Sequence, residues 1–265
     1  MTFADHVILI TGASTGIGKA LSLALAAERP KLVLAARNRE RLDQVARECT
    51  ARGAETLVVP SDVTVESQCR ELVSRAVERF GRLDVLVNNA GRAMWSRFDE
   101  LTELSVVEEV MRLNYLGGVY CTYYALPHLR ESRGRLVAMA SVSGLTGVPM
   151  LSGYSASKHA VIGFFESLRI ELAPFGVSVT ILAPDFVQSE ILERALGPDG
   201  EPLNRSPLDP KTLLNPADTC KRIVKAMARR ERLVVISKRS KHVRLAKLLV
   251  PWAVDWLTER AVRGE

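Results

Sequence analysis

Tyr154 and Lys158 stand four residues apart in the stretch 152–165. Helical spacing sets the phenol and the ammonium on one face, one turn from each other. A free tyrosine titrates near 10, so bringing it toward neutrality takes roughly 4 kcal/mol at about 1.4 kcal/mol per unit. A cation about 4 Å away, at an effective dielectric of about 20, supplies an interaction of that size. The pair can therefore pass a proton to or from a reacting oxygen. An exposed helix also carries Tyr-x-x-x-Lys by chance, so the rest of the chain must support the reading.

The elements that position this pair follow a regular alternation. With 265 residues and 47% hydrophobic content, the chain can bury one sizeable core, which favours a single large α/β domain. Val7-Ile8-Leu9-Ile10-Thr11 reads as a strand that enters Gly12-Ala13-Ser14-Thr15-Gly16-Ile17-Gly18, ahead of a helical pattern beginning at Lys19. A strand, a glycine turn and a helix in that order let backbone approach a pyrophosphate at the helix N-terminus. Further strands are predicted at 31–35, 56–60, 85–87, 136–140, 177–182 and 233–236, with helices at 39–52, 65–80, 105–132, 152–173 and 216–230. Glycines after several helices predict left-handed caps. This alternation predicts a doubly wound, mostly parallel Rossmann-type sheet with helices on both faces, whose ligands bind beyond the carboxyl ends of the strands. Gly12 to Gly18, Arg37, Asp62, Asn88 to Gly91, Ser141 and Pro184 all fall there.

After the second strand an NAD site usually places an acid on the ribose 2′-hydroxyl, and here Ala36-Arg37-Asn38-Arg39 has none. Arg37 offers a planar fork for a 2′-phosphate, so NADP(H) is the expected cofactor.

Thr11-Gly12-x-x-x-Gly16-Ile17-Gly18, Asn88-Asn89-Ala90-Gly91, Asn114, Ser141 and Tyr154-x-x-x-Lys158 together resemble the short-chain dehydrogenase/reductase family in its compact single-domain branch, over about residues 5–236. The resemblance implies a catalytic tetrad of Asn114, Ser141, Tyr154 and Lys158. It also implies a cofactor held by Gly12, Ser14, Thr15, Gly16, Ile17, Gly18, Arg37, Asp62, Val63, Asn89, Ala90, Gly91, Tyr154, Lys158, Pro184, Val187 and Ser189. Ala125-Leu126-Pro127 and Val148-Pro149-Met150, with the Tyr154 motif, are similar to the 11-beta-hydroxysteroid dehydrogenase branch. Apolar residues near the site, including Met94, Trp95, Met150, Phe186 and Ile191, suit a ring system or acyl chain, and suit ordinary packing equally. Family members carry Gly after the proline at 184; this chain has Asp185, which is expected to face water, whereas a carboxylate turned to the nicotinamide favours its oxidised form.

The expected activity is NADP(H)-dependent interconversion of a secondary alcohol and a ketone on a hydrophobic substrate such as a steroid or lipid. Alternatives are reduction of other acyl-chain or sugar-like carbonyls, or cofactor sensing without turnover. Residues 1–237 form the expected catalytic domain, with a mobile lid at about 185–215, and 238–265 a basic amphipathic extension. The tail holds seven basic and three acidic residues, four of the six net positive charges, so a nucleic-acid partner is not expected. Within it Lys241, Arg244 and Lys247 oppose Leu245, Leu248, Leu249 and Trp252, a face for its own domain, a partner subunit or a membrane surface. A homodimer or homotetramer is expected. Cys49, Cys69, Cys121 and Cys220 form no C-x-x-C pair and the four histidines show no ligand spacing, which predicts reduced thiols and no metal site. The opening residues lack a signal-peptide pattern, so a cytoplasmic location is expected, with peripheral contact at a membrane open.

Overall fold

A computed structural model describes residues 2–263. The side chains of Lys238, Arg239, Val243, Arg244, Leu257, Thr258 and residues 261–263 in the tail lie outside the described residues, as do Met1 and 264–265. Seven parallel strands form the sheet: β1 (Val7–Thr11), β2 (Lys31–Ala36), β3 (Glu55–Pro60), β4 (Val85–Asn88), β5 (Arg135–Met139), β6 (Ser178–Ala183) and β7 (Leu233–Val235), in the order β3-β2-β1-β4-β5-β6-β7. The strands are near-continuous apolar runs because both faces are covered. From β1, Ile8 and Ile10 pack under α1 (Gly16–Ala26), α2 (Arg39–Thr50) and α7 (Pro216–Ala228), while Val7 and Leu9 face α3 (Glu66–Phe80), α5 (Gly117–Glu131) and α6 (Ser152–Leu172). The two-residue alternation of a strand thus divides one sheet between two cores.

Strand order reverses between β1 and β4, which opens a crevice at their carboxyl ends. Thr11 links the two sides there. Its Oγ1 accepts from the N–H groups of Asn89 and Ala90, both at 3.0 Å, and the Asn89 amide donates to the Thr11 carbonyl at 2.8 Å.

Several elements depart from the sequence expectation. α1 begins at Gly16 rather than Lys19, so the second half of the glycine motif is the first helical turn. The helix expected at 105–132 is α4 (Ser105–Met111) joined to α5 through a π-helical turn, Arg112–Leu116. Asn114 sits in that widened turn. Its Oδ1 accepts from the Arg92 N–H at 2.8 Å, and its Nδ2 donates to the Arg92 carbonyl at 3.0 Å and Ser157 Oγ at 2.9 Å. Gly81 and Gly176 take the left-handed cap as expected, but after α5 it is Arg133 that does so, at φ 47°. Gly134 serves close packing instead, since a Cβ there would lie 2.4 Å from the Asp84 carbonyl oxygen. Beyond β7 the chain continues as α8 (Lys238–Leu249) and α9 (Pro251–Arg263). Among the described residues, no helix is long and apolar enough to cross a membrane.

Candidate active site

A cleft of about 290 Å³ runs along the carboxyl ends of the strands. At one end stand Arg37 and Asn38 after β2 and Asp62 and Val63 after β3; the glycine turn forms the floor, with Asn89, Ala90 and Gly91 after β4 as one wall. Ser141, Tyr154 and Lys158 close the other end, beneath Pro184, Val187 and Ser189 after β6. Of the predicted catalytic and cofactor-binding residues, Asn114 alone is absent from this lining. It lies behind the cleft, against a smaller cavity that also touches Thr11, Asn88 and Met139.

The floor fits a dinucleotide. Gly12 has φ 65° and Gly16 φ 54°, and a Cβ on Gly12 would come within 2.9 Å of Ala90 Cα. Gly18 has less room still, with the Gly12 carbonyl oxygen 2.2 Å from a built Cβ. Thr15 precedes α1 without a side-chain cap, so first-turn N–H groups of an eleven-residue helix remain available to an anion. At the outer end, a guanidinium nitrogen of Arg37 lies 4.0 Å from Asp62 Oδ2, and the other carboxylate oxygen of Asp62 accepts from the N–H and hydroxyl of Thr64. The cationic fork that suits a 2′-phosphate is thus paired with a side chain held in place by its own turn.

At the inner end, Tyr154 and Lys158 project from the first turns of α6 and both are buried. The Lys158 ammonium donates to the Met139 carbonyl at 2.8 Å, and burial pushes its pKa down to about 8. Burial pushes the Tyr154 phenol up to about 12, and a hydrogen bond with Ser141 offsets only part of that rise. The expectation that a lysine one turn away would by itself bring the tyrosine toward neutrality is corrected here. Desolvation of the phenolate, absent from the sequence argument, is the largest influence on the phenol. Ser141 itself is fixed as the cap of a short turn, where its Oγ accepts from the Ser143 N–H at 3.2 Å.

The apolar residues near the site pack on one another, and some of them also reach the cleft. Met94, Leu151 and Tyr154 pack with Leu196, Phe186 and Ile191 in a third cluster, and Leu151, Phe186, Ile191 and Leu192 also line the cleft. The 190–215 stretch is stitched to the body by bridges between Met94 and Leu196 and between Val187 and Leu214.

Asp185 does not face water as expected. Its Oδ2 accepts from Ser237 Oγ at 3.0 Å and Ser240 Oγ at 2.8 Å, while Oδ1 accepts from the Phe186 N–H at 2.9 Å. Other cleft residues escaped the sequence reading: Asn38, Ser61, Arg92, Leu113, Glu190 and Arg194. Asn38 had a visible signal, standing directly before a helical pattern, and it does cap α2 by accepting from the Arg41 N–H at 2.9 Å. Glu190 had none; Arg41, 149 positions earlier, donates to it at 2.9 Å and, with Arg194, holds its carboxyl below the usual range.

Comparison with known proteins agrees with this geometry. The family described as short chain dehydrogenase matches residues 6–197. The 11-beta-hydroxysteroid dehydrogenase-like 4A of Arabidopsis thaliana is 44% identical over 184 residues, which are 69% of this chain and 61% of that protein. An alcohol dehydrogenase from Thermococcus sibiricus, solved with 5-hydroxy-NADP, superposes with a TM-score of 0.77 at 27% identity over 87% of this chain and 95% of its own. A short chain dehydrogenase/reductase from Burkholderia phymatum, solved with NAD, gives 0.82 at 26% identity over 93% and 94%. The Tyr-x-x-x-Lys helix, the glycine turn and the order of the strands therefore have one explanation: the chain belongs to the short-chain dehydrogenase family.

Proposed function

We propose that this chain is an NADP(H)-dependent oxidoreductase that interconverts a secondary alcohol and a ketone on a hydrophobic substrate such as a steroid or lipid. One observation carries the reading: Ser141, Tyr154 and Lys158 are buried together at the inner end of a glycine-floored cleft, with the Lys158 ammonium 5.6 Å from the centre of the Tyr154 ring. The glycine turn and the residues along the cleft would hold a nicotinamide cofactor, which would supply or take up the hydride when bound. In reduction, Tyr154 gives its proton to the substrate oxygen and Ser141 donates a hydrogen bond to the same oxygen. Lys158 is cationic below about pH 8 and stabilises the phenolate left behind. Asn114 holds the Arg92 backbone and Ser157, and so fixes the wall opposite α6.

Arg37 supports the phosphorylated cofactor, and the apolar side chains of Leu151, Phe186 and Ile191 support the hydrophobic substrate. Residues 1–237 act as the catalytic domain in this reading, with 185–215 as its lid. Exposed Tyr123 and Ile170 on α5 and α6 support a homodimer or homotetramer, and the exposed apolar residues of 238–265 support peripheral contact with a membrane. The test is a panel of ketones with NADPH and NADH, followed by loss of nicotinamide absorbance. Turnover of steroid or lipid ketones with NADPH is the expected result. Turnover confined to sugar-like carbonyls, or none on any substrate, would sink the reading.

A further inference from the structure

The C-terminal helices leave the body of the protein at the mouth of the cleft. Ser237, two residues beyond β7, caps α8, its Oγ accepting from the Ser240 N–H at 2.9 Å. Asp185, a cleft residue, meets this cap with the two serine hydroxyls on its Oδ2. A carboxylate at the N-terminus of a twelve-residue helix is favoured by the free N–H groups and the dipole there. The loop that carries Val187 and Ser189 is thus tied to the start of the tail.

Beyond this tie, α8 meets the body at β7, and α9 packs on α8. The turn between the two helices presents Leu248, Leu249 and Trp252, each more than 70% exposed, with Leu245 and Trp256 also exposed beside them. Lys241 is exposed on the same helix pair, and the guanidinium of Arg260 lies 4.8 Å from the centre of the Trp256 ring. An apolar patch of this kind calls for a partner. A two-fold contact with a second copy sets the same patch against itself, and with it two segments of net charge +4. An anionic bilayer takes both the apolar side chains and the charge.

We propose that α8 and α9 form a docking surface for an anionic lipid bilayer, fixed at the mouth of the cleft by the contacts of Asp185 with Ser237 and Ser240, so that a substrate dissolved in the bilayer enters the cleft directly. Delivery rests on the hydrophobic-substrate reading above; docking does not, and the two are measured separately.

The full chain should co-sediment with phosphatidylserine–phosphatidylcholine vesicles at low salt and stay in the supernatant with phosphatidylcholine alone. Two of its three tryptophans are in the tail, so their emission should shift to the blue on binding. Leu248→Glu with Leu249→Glu should abolish sedimentation while turnover of a water-soluble ketone persists. Should that variant misfold, Lys241→Gln, a surface change, should lower vesicle affinity about five-fold. Ser240→Ala should still sediment but lose the advantage, in kcat/KM, of a vesicle-dissolved ketone over a soluble one. A full chain left in the supernatant by anionic vesicles, or bound equally by neutral ones, overturns the docking surface. So does a dimer that the double glutamate variant splits while vesicles are ignored, because the face then belongs to a second copy. Vesicle binding with an unchanged ketone preference in Ser240→Ala overturns the tether, and sedimentation still reports on docking if no ketone is turned over.

Discussion

The Lys158 ammonium lies 5.6 Å from the centre of the Tyr154 ring, while its own hydrogen bond goes to the Met139 carbonyl. The lysine is therefore held by the sheet rather than by the tyrosine. Tyr154→Phe removes the proton donor and leaves this arrangement in place. The expected result is a fall in kcat of about 10²–10⁴-fold, with NADPH affinity, measured by fluorescence titration, nearly unchanged. Turnover within a few fold of the parent would mean that another group supplies the proton.

The pH dependence of reduction should come from the lysine. Tyr154, pushed up to about 12, keeps its proton over any practical assay range. Lys158, pushed down to about 8, is cationic below that pH and neutral above it. Reductive kcat/KM should hold level below about pH 8 and then fall about ten-fold per unit. A profile that stays flat to pH 10 or rises above 8 removes Lys158 from the role given to it.

Arg37 should separate the two cofactors. A charge-assisted contact with a 2′-phosphate contributes about 1.5–3 kcal/mol, or roughly ten- to a hundred-fold in affinity. Arg37→Ala should raise KM for NADPH by about that factor and leave KM for NADH within two-fold or so. Equal efficiency with both cofactors in the parent protein would leave the arginine as a partner of Asp62 only.

Two glycines in helices should respond in opposite directions. Gly18→Ala puts a Cβ about where the Gly12 carbonyl oxygen and the Asn89 amide already stand, so the α1 turn must move. A loss of about 1–3 kcal/mol is expected, seen as a lower melting temperature, together with weaker NADPH binding. Gly163, in α6, has nothing within 4 Å of a built Cβ, and Gly163→Ala should gain about 0.5–1 kcal/mol. Equal melting temperatures for the two variants would contradict the close approach at the glycine turn.

The fold was legible because its signals are local. A β-branched run, a glycine stop or an amphipathic period depends on residues within a turn or two, and all seven strands were anticipated to within two residues at their ends. The groups around the cleft were legible to the extent that they end strands: Arg37, Asp62, Ser141 and Pro184 needed only the alternation to be placed. What escaped depends on distant partners. Asp185 was expected in water because the serines that hold it stand 52 and 55 positions away. The π-helical turn carries Asn114, whose partners Arg92 and Ser157 stand 22 and 43 positions away. Arg133 takes the left-handed position because Gly134, the residue that pattern would put there, is needed against Asp84. The tyrosine argument failed for a related reason, since burial is a property of the whole packed site.

The Thr11 contacts with Asn89 and Ala90 bear on the order in which the protein is made. They close 78 and 79 positions of chain, so a ribosome must release β4 before the glycine turn acquires its far wall. A nascent chain that has reached only the turn after β3 owns Gly12, Gly16, Gly18, Arg37 and Asp62, yet lacks half of the crevice they serve. Cofactor affinity then arises no earlier than the emergence of β4, because that closure joins the two halves of the sheet at the place where the cofactor would lie.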